Sequence, residues 1–310
     1  MGFHWIFGLL MVLQQHELPD RLNITREGNP IMNVSRSEIQ FPIAGLPIID
    51  ENKLDKLLDR VAKQTYQAPV NASLDGSGRI VPERFGYRLD SKAFAKKFYG
   101  DSGESPSSDL EAIMKPIYPK VDSELLATVR EKMIGQYTTY FNSNNKNRSH
   151  NILLAARAIN NQFVFPGETF SFNQTVGIRS ADRGYLRAKI IVRGEVAEGI
   201  GGGICQISST LFNAVDRAGL KIVQRYSHSR SVPYVPPGRD ATVSWYGPDF
   251  AFQNSYNQPV LIRANVSGGQ TTIYIYSSES VNVKGREVPG ASKQLPREID
   301  AERNVNGGGM

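Results

Sequence analysis

Cysteine is nearly absent from this 310-residue chain, where Cys205 supplies the one thiol. That excludes an intramolecular disulfide framework and any zinc site built from several thiolates. Histidine is scarce as well: His4, His16, His150 and His228 are the full set, and no HExxH pair occurs. Little is left for metal chemistry, and no cofactor is implied. A long hydrophobic run is also lacking. Residues 3–13 are an apolar stretch of eleven, short of the ~20 needed to span a bilayer. Nor is there a strong excess of one charge. The net charge of +6 is spread over 36 basic and 30 acidic residues, too diffuse to argue for nucleic acid and equally consistent with weak attraction to anionic polymers.

The apolar stretch reads as the core of a signal peptide or as a membrane anchor over residues 1–20, although no Lys or Arg precedes it. On that reading the protein is extracytoplasmic, the membrane is met only through this segment, and His4 and His16 drop out of the chemistry. The competing reading is a buried N-terminal helix.

The spacing of Leu54, Leu57, Leu58 and Val61 predicts a helix with Asp50 as N-cap. Residues 75–78 (DGSG) predict a small hairpin, and SKAFAKKFYG a short helix after Asp90. Together they form a small α+β module over residues 40–120, with DSGESPSSD as linker. Beyond it the texture is again α+β and rich in antiparallel strand. IGQYTTYF reads as a strand, NILLAARAIN as a helix and YLRAKIIVRGEVAEG as largely strand. A second helix carries Ile204, Ile207, Leu211 and Val215 and stops at Gly219. ATVSWYG and DFAFQN read as further strands, and a Ser-Gly-Gly-Gln turn joins two more into a hairpin. These elements define a domain over residues 134–278; residues 279–310 are polar and predict a disordered tail.

The lone thiol sits in EGIGGGICQISSTLFNAVDRAGL, behind Gly201, Gly202 and Gly203 and at the start of a helix. The first turn of a helix stabilises a thiolate and can hydrogen-bond an oxyanion, and the glycines remove side chains that would obstruct a substrate. Two readings stand side by side: a nucleophile loop, or a tight turn in which Cys205 simply packs. For a nucleophile, His228 is the candidate base and His150 its competitor. Asp240, with Asp249 behind it, is the candidate to orient the imidazole. Gly202, Gly203 and Gln206 line the candidate substrate site, and Arg230 or Arg239 could hold a substrate carboxylate. A surface Arg239–Asp240 ion pair is the alternative. Ser208, Ser209 and Thr210 rank below Cys205, because no G-x-S-x-G elbow surrounds them.

The segment from Glu198 to Leu220, with SHSRSVPYVPPGRDATVSW, NRSHNILLAARAIN and FPGETFSFNQTVG, resembles the VanW family of bacterial envelope proteins. The preceding DENKLDKLLDRVAKQTYQAPVNASLDGSGRIVPERFGYRLD resembles the peptidoglycan-binding module that often stands before a VanW domain. Some members of the family are cysteine L,D-transpeptidases, which cross-link peptidoglycan stem peptides through a thioester. The resemblance therefore implies Cys205 as nucleophile, His228 as base, stem peptides and cell-wall polymers as partners, and a location at the wall. A non-catalytic binding protein of the envelope is the alternative it leaves open.

Overall fold

The computed structural model describes residues 21–42, 48–99, 109–192 and 195–294. The expected export segment, the core of the linker and the end of the expected tail lie outside the described residues. The chain divides into two compact units: the first holds residues up to 72 and 82–122, the second residues 73–81 and those from 123 onward. Among the described residues, no helix is long and apolar enough to cross a membrane. The class is α+β, as expected.

In the first unit, the strands Arg21–Arg26 and Asn29–Ser35 form a hairpin, and Asp109–Glu111 adds in parallel to its first strand. The scattered apolar residues here carry no helical period, and the sequence reading passed over these strands. Two helices, α1 (Glu51–Thr65) and α2 (Ser91–Tyr99), bury Leu54, Leu57, Val61, Phe94 and Phe98 beside Leu22, Ile24 and Leu110. Asp50 caps α1, accepting from the Asn52 and Lys53 amides. The expected hairpin, Ser73–Leu74 with Ile80–Val81, belongs to the second unit. Asn161 holds it there by bonding both the amide and the carbonyl of Leu74.

The second unit is built on a four-stranded antiparallel sheet in the order Lys132–Tyr140, Gln270–Ser277, Val260–Ser267, Gln162–Val164. The short helices α3 (Ser123–Val129) and α5 (Phe172–Val176) accompany two long ones, α4 (Lys146–Ile159) and α6 (Ile204–Arg217). The long pair packs on the sheet through Ile152, Ala156 and Ile159 from α4, and Ile207, Leu211 and Val215 from α6. A smaller sheet aligns Thr169–Ser171, Ala251–Gln253 and Lys221–Gln224. The hairpin Arg187–Val192 with Glu195–Ile200 leads directly into the glycine run.

Two expectations are corrected. ATVSWYG is irregular rather than a strand: its backbone bonds mainly to the side chains of α6, to Tyr226 and to its own turn. The first part of the expected tail is fixed. Val281 and Val288 are buried in the core, and the Val288 and Pro289 carbonyls accept from Arg217 and Tyr137. Two apolar residues seven apart, anchored by backbone bonds, leave almost no periodic signal in a polar segment.

The glycine run answers to packing. Gly203 adopts φ 106° as it caps α6, a conformation that L side chains rarely take. A Cβ on Gly202 would lie 2.5 Å from the Lys189 carbonyl oxygen. Asn151, fully buried in α4, closes this turn by bonding the Leu186 and Gly202 carbonyls at 2.9 and 3.0 Å. Gly202→Ala is expected to lower stability by about 1–3 kcal/mol through overpacking. Gly76→Ala, where a Cβ meets nothing within 4 Å, should stay within about 0.5 kcal/mol of wild type. Equilibrium denaturant unfolding distinguishes the two.

Candidate active site

Helix α6 begins in the apolar core yet carries a run of buried polar residues: Gln206, Ser208, Ser209, Thr210 and Asn213. Buried polar groups need partners, and three of these find theirs in the loop Arg239–Ala241. Ser208 Oγ donates to the Ala241 carbonyl at 2.5 Å, and the Ala241 amide donates to Ser209 Oγ at 2.9 Å. Asn213 donates to the Arg239 carbonyl and accepts from Arg239 Nε, each at 2.8 Å. The side chains of α6 thus fix a stretch that has no ladder of its own. The same stretch is tied to the segment after Lys221–Gln224, because the Thr242 amide donates to the Tyr226 carbonyl at 2.8 Å. Arg225 adds a bond to the Asp240 carbonyl at 2.7 Å.

This framework brings Cys205, His228 and Asp240 together. Asp240 Oδ2 accepts from His228 Nδ1 at 2.7 Å and from the His228 amide at 2.6 Å. Both side chains are less than a tenth exposed, at 7% for His228 and 8% for Asp240. With Nδ1 committed, the other ring nitrogen is left for the thiol, and Cys205 and His228 perturb one another's pKa. Cys205 is half-buried rather than sealed. Its sulfur lies 3.6 Å from the Val243 carbonyl and 3.8 Å from the Thr242 hydroxyl.

The electrostatics favour an ion pair. Burial pushes the Cys205 thiol up, but the hydrogen bond and charge of His228 outweigh it and hold the thiol below its ordinary value. A carbonyl can only accept, so the Val243 contact itself favours the protonated thiol; the lowering rests on the imidazole and, to a lesser degree, on the Thr242 hydroxyl. Burial pulls His228 down, while its bonds to Cys205 and Asp240 outweigh that and raise it. Burial also raises Asp240, and the amide and ring of His228 bring it below the usual carboxylate range. Each shift favours the charged form, so the three groups can form a charge-alternating row of thiolate, imidazolium and carboxylate. In chemical terms such a row can supply a nucleophile, a proton carrier and an orienting group.

The other candidates are placed elsewhere or otherwise engaged. Gln206 is fully buried, with its amide bonded to Arg148, Thr139 and Tyr140. Arg239 is bonded to Asp216 and stacked 4.6 Å over Phe212. It is therefore a structural cation, neither a free carboxylate receptor nor a partner of Asp240. Arg230 is exposed. His150 bonds the Gly184 carbonyl, and Asp249 supports the start of α5 through Ser171 and the Asn173 amide. Ser208 and Ser209 serve the loop, and Thr210 bonds Thr139. In the first turn of α6, the amides of Ile204 and Gln206 donate to the Gly201 and Gly203 carbonyls.

Three groups near the thiol escaped the sequence reading. Thr242 had a signal, standing two residues past Asp240. Tyr234 keeps its proton far above the ordinary tyrosine range, first through burial and then through the charge of Cys205. Arg179 interacts electrostatically with Cys205, and burial lowers its pKa. It bonds Asn173 at 2.6 Å while its buried Nη1 has no partner among the described residues. Nothing in the spacing of Arg179 pointed to the thiol.

A family model described as VanW like protein matches residues 147–276. A second, described as "Putative peptidoglycan binding domain", matches residues 19–123. The uncharacterized protein YoaR of Bacillus subtilis (strain 168) is 56% identical over 299 residues, covering 96% of this chain and 98% of its own length. This chain belongs to the VanW family. The Vancomycin B-type resistance protein VanW of Enterococcus faecalis (strain ATCC 700802 / V583) is 36% identical over 83 residues, 27% of this chain and 30% of that protein. No solved structure matches. The VanW match spans Cys205, His228 and Asp240, and the other spans the elements of the first unit. The two domains make this VanW protein cell-wall-associated.

The pH dependence of thiol alkylation reads the ion pair directly. The thiolate fraction rises with pH through the thiol pKa, so a lowered value keeps Cys205 reactive at lower pH. Iodoacetamide labelling of wild type, followed by intact mass, should have its midpoint below the ordinary thiol value of about 8.5. His228→Ala should move the midpoint above wild type, and Asp240→Asn should fall between them.

Proposed function

We propose that this VanW protein is a cysteine acyltransferase of the cell wall, an L,D-transpeptidase that joins peptidoglycan stem peptides. The observation that carries the reading is the half-buried thiol set against an imidazole whose Nδ1 is held by a buried carboxylate. The Cys205 thiolate attacks the carbonyl between diaminopimelate and the terminal D-alanine of a donor stem. The C–N bond breaks as the His228 imidazolium gives its proton to the departing amine, leaving an acyl thioester on Cys205. The side-chain amine of a second stem attacks the thioester, His228 takes the proton, and the thiolate leaves. Asp240 keeps the ring oriented through both steps.

The first unit binds cell-wall polymer and raises the local concentration of stems at the thiol. Residues 1–20 export or anchor the chain outside the cytoplasm, a reading supported by the apolar run at residues 3–13. Incubation with a tetrapeptide muropeptide should release D-alanine and give an acyl adduct in the intact mass. Cys205→Ala should abolish both, and His228→Ala should slow adduct formation by about 10²-fold or more. Reversible binding that is indifferent to Cys205→Ala would instead identify a non-catalytic wall-binding protein.

A further inference from the structure

In the first unit, residues 67–70 lie beside the strand Gly86–Leu89, which pairs with Met114–Ile117. Strand alternation sets Tyr87 and Leu89 on one face, and Phe85 stands just ahead of the strand. At the Leu89 end that face is buried; towards Phe85 it opens to solvent. Phe85 is 51% and Tyr118 71% exposed, and their rings meet edge to face at 5.2 Å. The exposed Pro116 stands opposite Tyr87 and continues the surface. Arg26 lies over the Tyr87 ring at 5.7 Å and donates to the Thr65 carbonyl and to Gln67 Oε1. It joins the aromatic face to a shallow, solvent-open cavity of about 430 Å³ lined by Arg26, Glu27, Asn29, Ile31, Gln64 and Gln67.

We propose that this face and cavity bind the glycan strand of a cell-wall polymer, with sugar rings packed on Phe85 and Tyr118. The inference rests on the reading that the first unit binds wall polymer, and names the surface and the part of the polymer it takes. The C–H face of a pyranose ring is apolar and weakly positive, which suits the negative face of an aromatic ring. The cavity offers the amides of Asn29, Gln64 and Gln67, groups that both donate and accept as hydroxyl and acetamido groups require. A stem peptide carries carboxylates and calls for a free guanidinium. Here Arg26 is engaged by Thr65, Gln67 and Tyr87, and Glu27 repels an anion.

The test is sedimentation of the full chain with purified sacculi, and titration with glycan chains stripped of stem peptides and with free stem peptides. Wild type should bind sacculi and stripped glycan. Phe85→Ala/Tyr118→Ala should weaken glycan binding at least tenfold, Tyr118→Phe should retain it, and the double variant should keep wild-type thermal stability and Cys205 alkylation. Unchanged glycan binding by the folded double variant, or wild-type binding to stem peptides alone, overturns the inference and leaves wall binding intact. Failure of wild type to bind sacculi overturns the wall-binding reading itself.

Discussion

One carboxylate oxygen holds the candidate site together. Asp240 Oδ2 accepts from both the backbone and the ring of His228, so a single acceptor fixes where the histidine sits and which nitrogen it turns to the thiol. Neither residue lies in a helix or strand, and without this double bond the imidazole would keep its rotamer freedom. Charge-assisted bonds of this length are stronger than neutral ones. Their removal would leave a buried carboxylate without its main partners, which costs more than the bonds contribute when made.

That carboxylate is in turn placed by the buried polar side of α6. A helix packed on a sheet is expected to bury apolar residues alone, and Ile207, Leu211 and Val215 follow that rule. Ser208, Ser209 and Asn213 do not, and each would be expensive if left unpaired. The backbone of residues 239–241 satisfies all three. Specificity follows from the asymmetry between made and unmade bonds: another course for the loop would strand several buried donors and acceptors together. The serines next to the cysteine hold the loop that carries the third member of the row.

Much of this was legible in the sequence, and what was not has identifiable causes. Helical spacing found α1, α4 and α6, because each buries one face against a sheet or its neighbours. The scarcity of thiols and histidines narrowed the chemistry to Cys205 and His228, and Asp240 stood close by in the chain. The glycine run was visible, with a tight turn among its readings, but its reason was not, since the clash at Gly202 is with the Lys189 carbonyl of the preceding hairpin, a neighbour that only tertiary structure reveals. Gln206 and Arg239 looked like substrate groups because polar residues near a nucleophile suggest contact. Whether such a group faces solvent or the interior depends on helix rotation, and α6 turns Gln206 inward. Arg179 could not be found at all, because it acts on the thiol only electrostatically, from a loop more than twenty residues upstream.

The groups around the sulfur divide their work by whether they can lose a proton. The first turn of α6 contributes fixed dipoles, and Arg179 carries a guanidinium that stays protonated even though burial lowers its pKa. Neither can transfer a proton at working pH, so both hold the field at Cys205 steady whatever the state of the imidazole. His228 is the one cationic group here whose charge can change, and Asp240 keeps its ring pointed at the sulfur while it does. Burial alone would make Cys205 an inert thiol. A movable positive charge set against a permanent one turns the same burial into an advantage, because both act through a medium that screens them poorly.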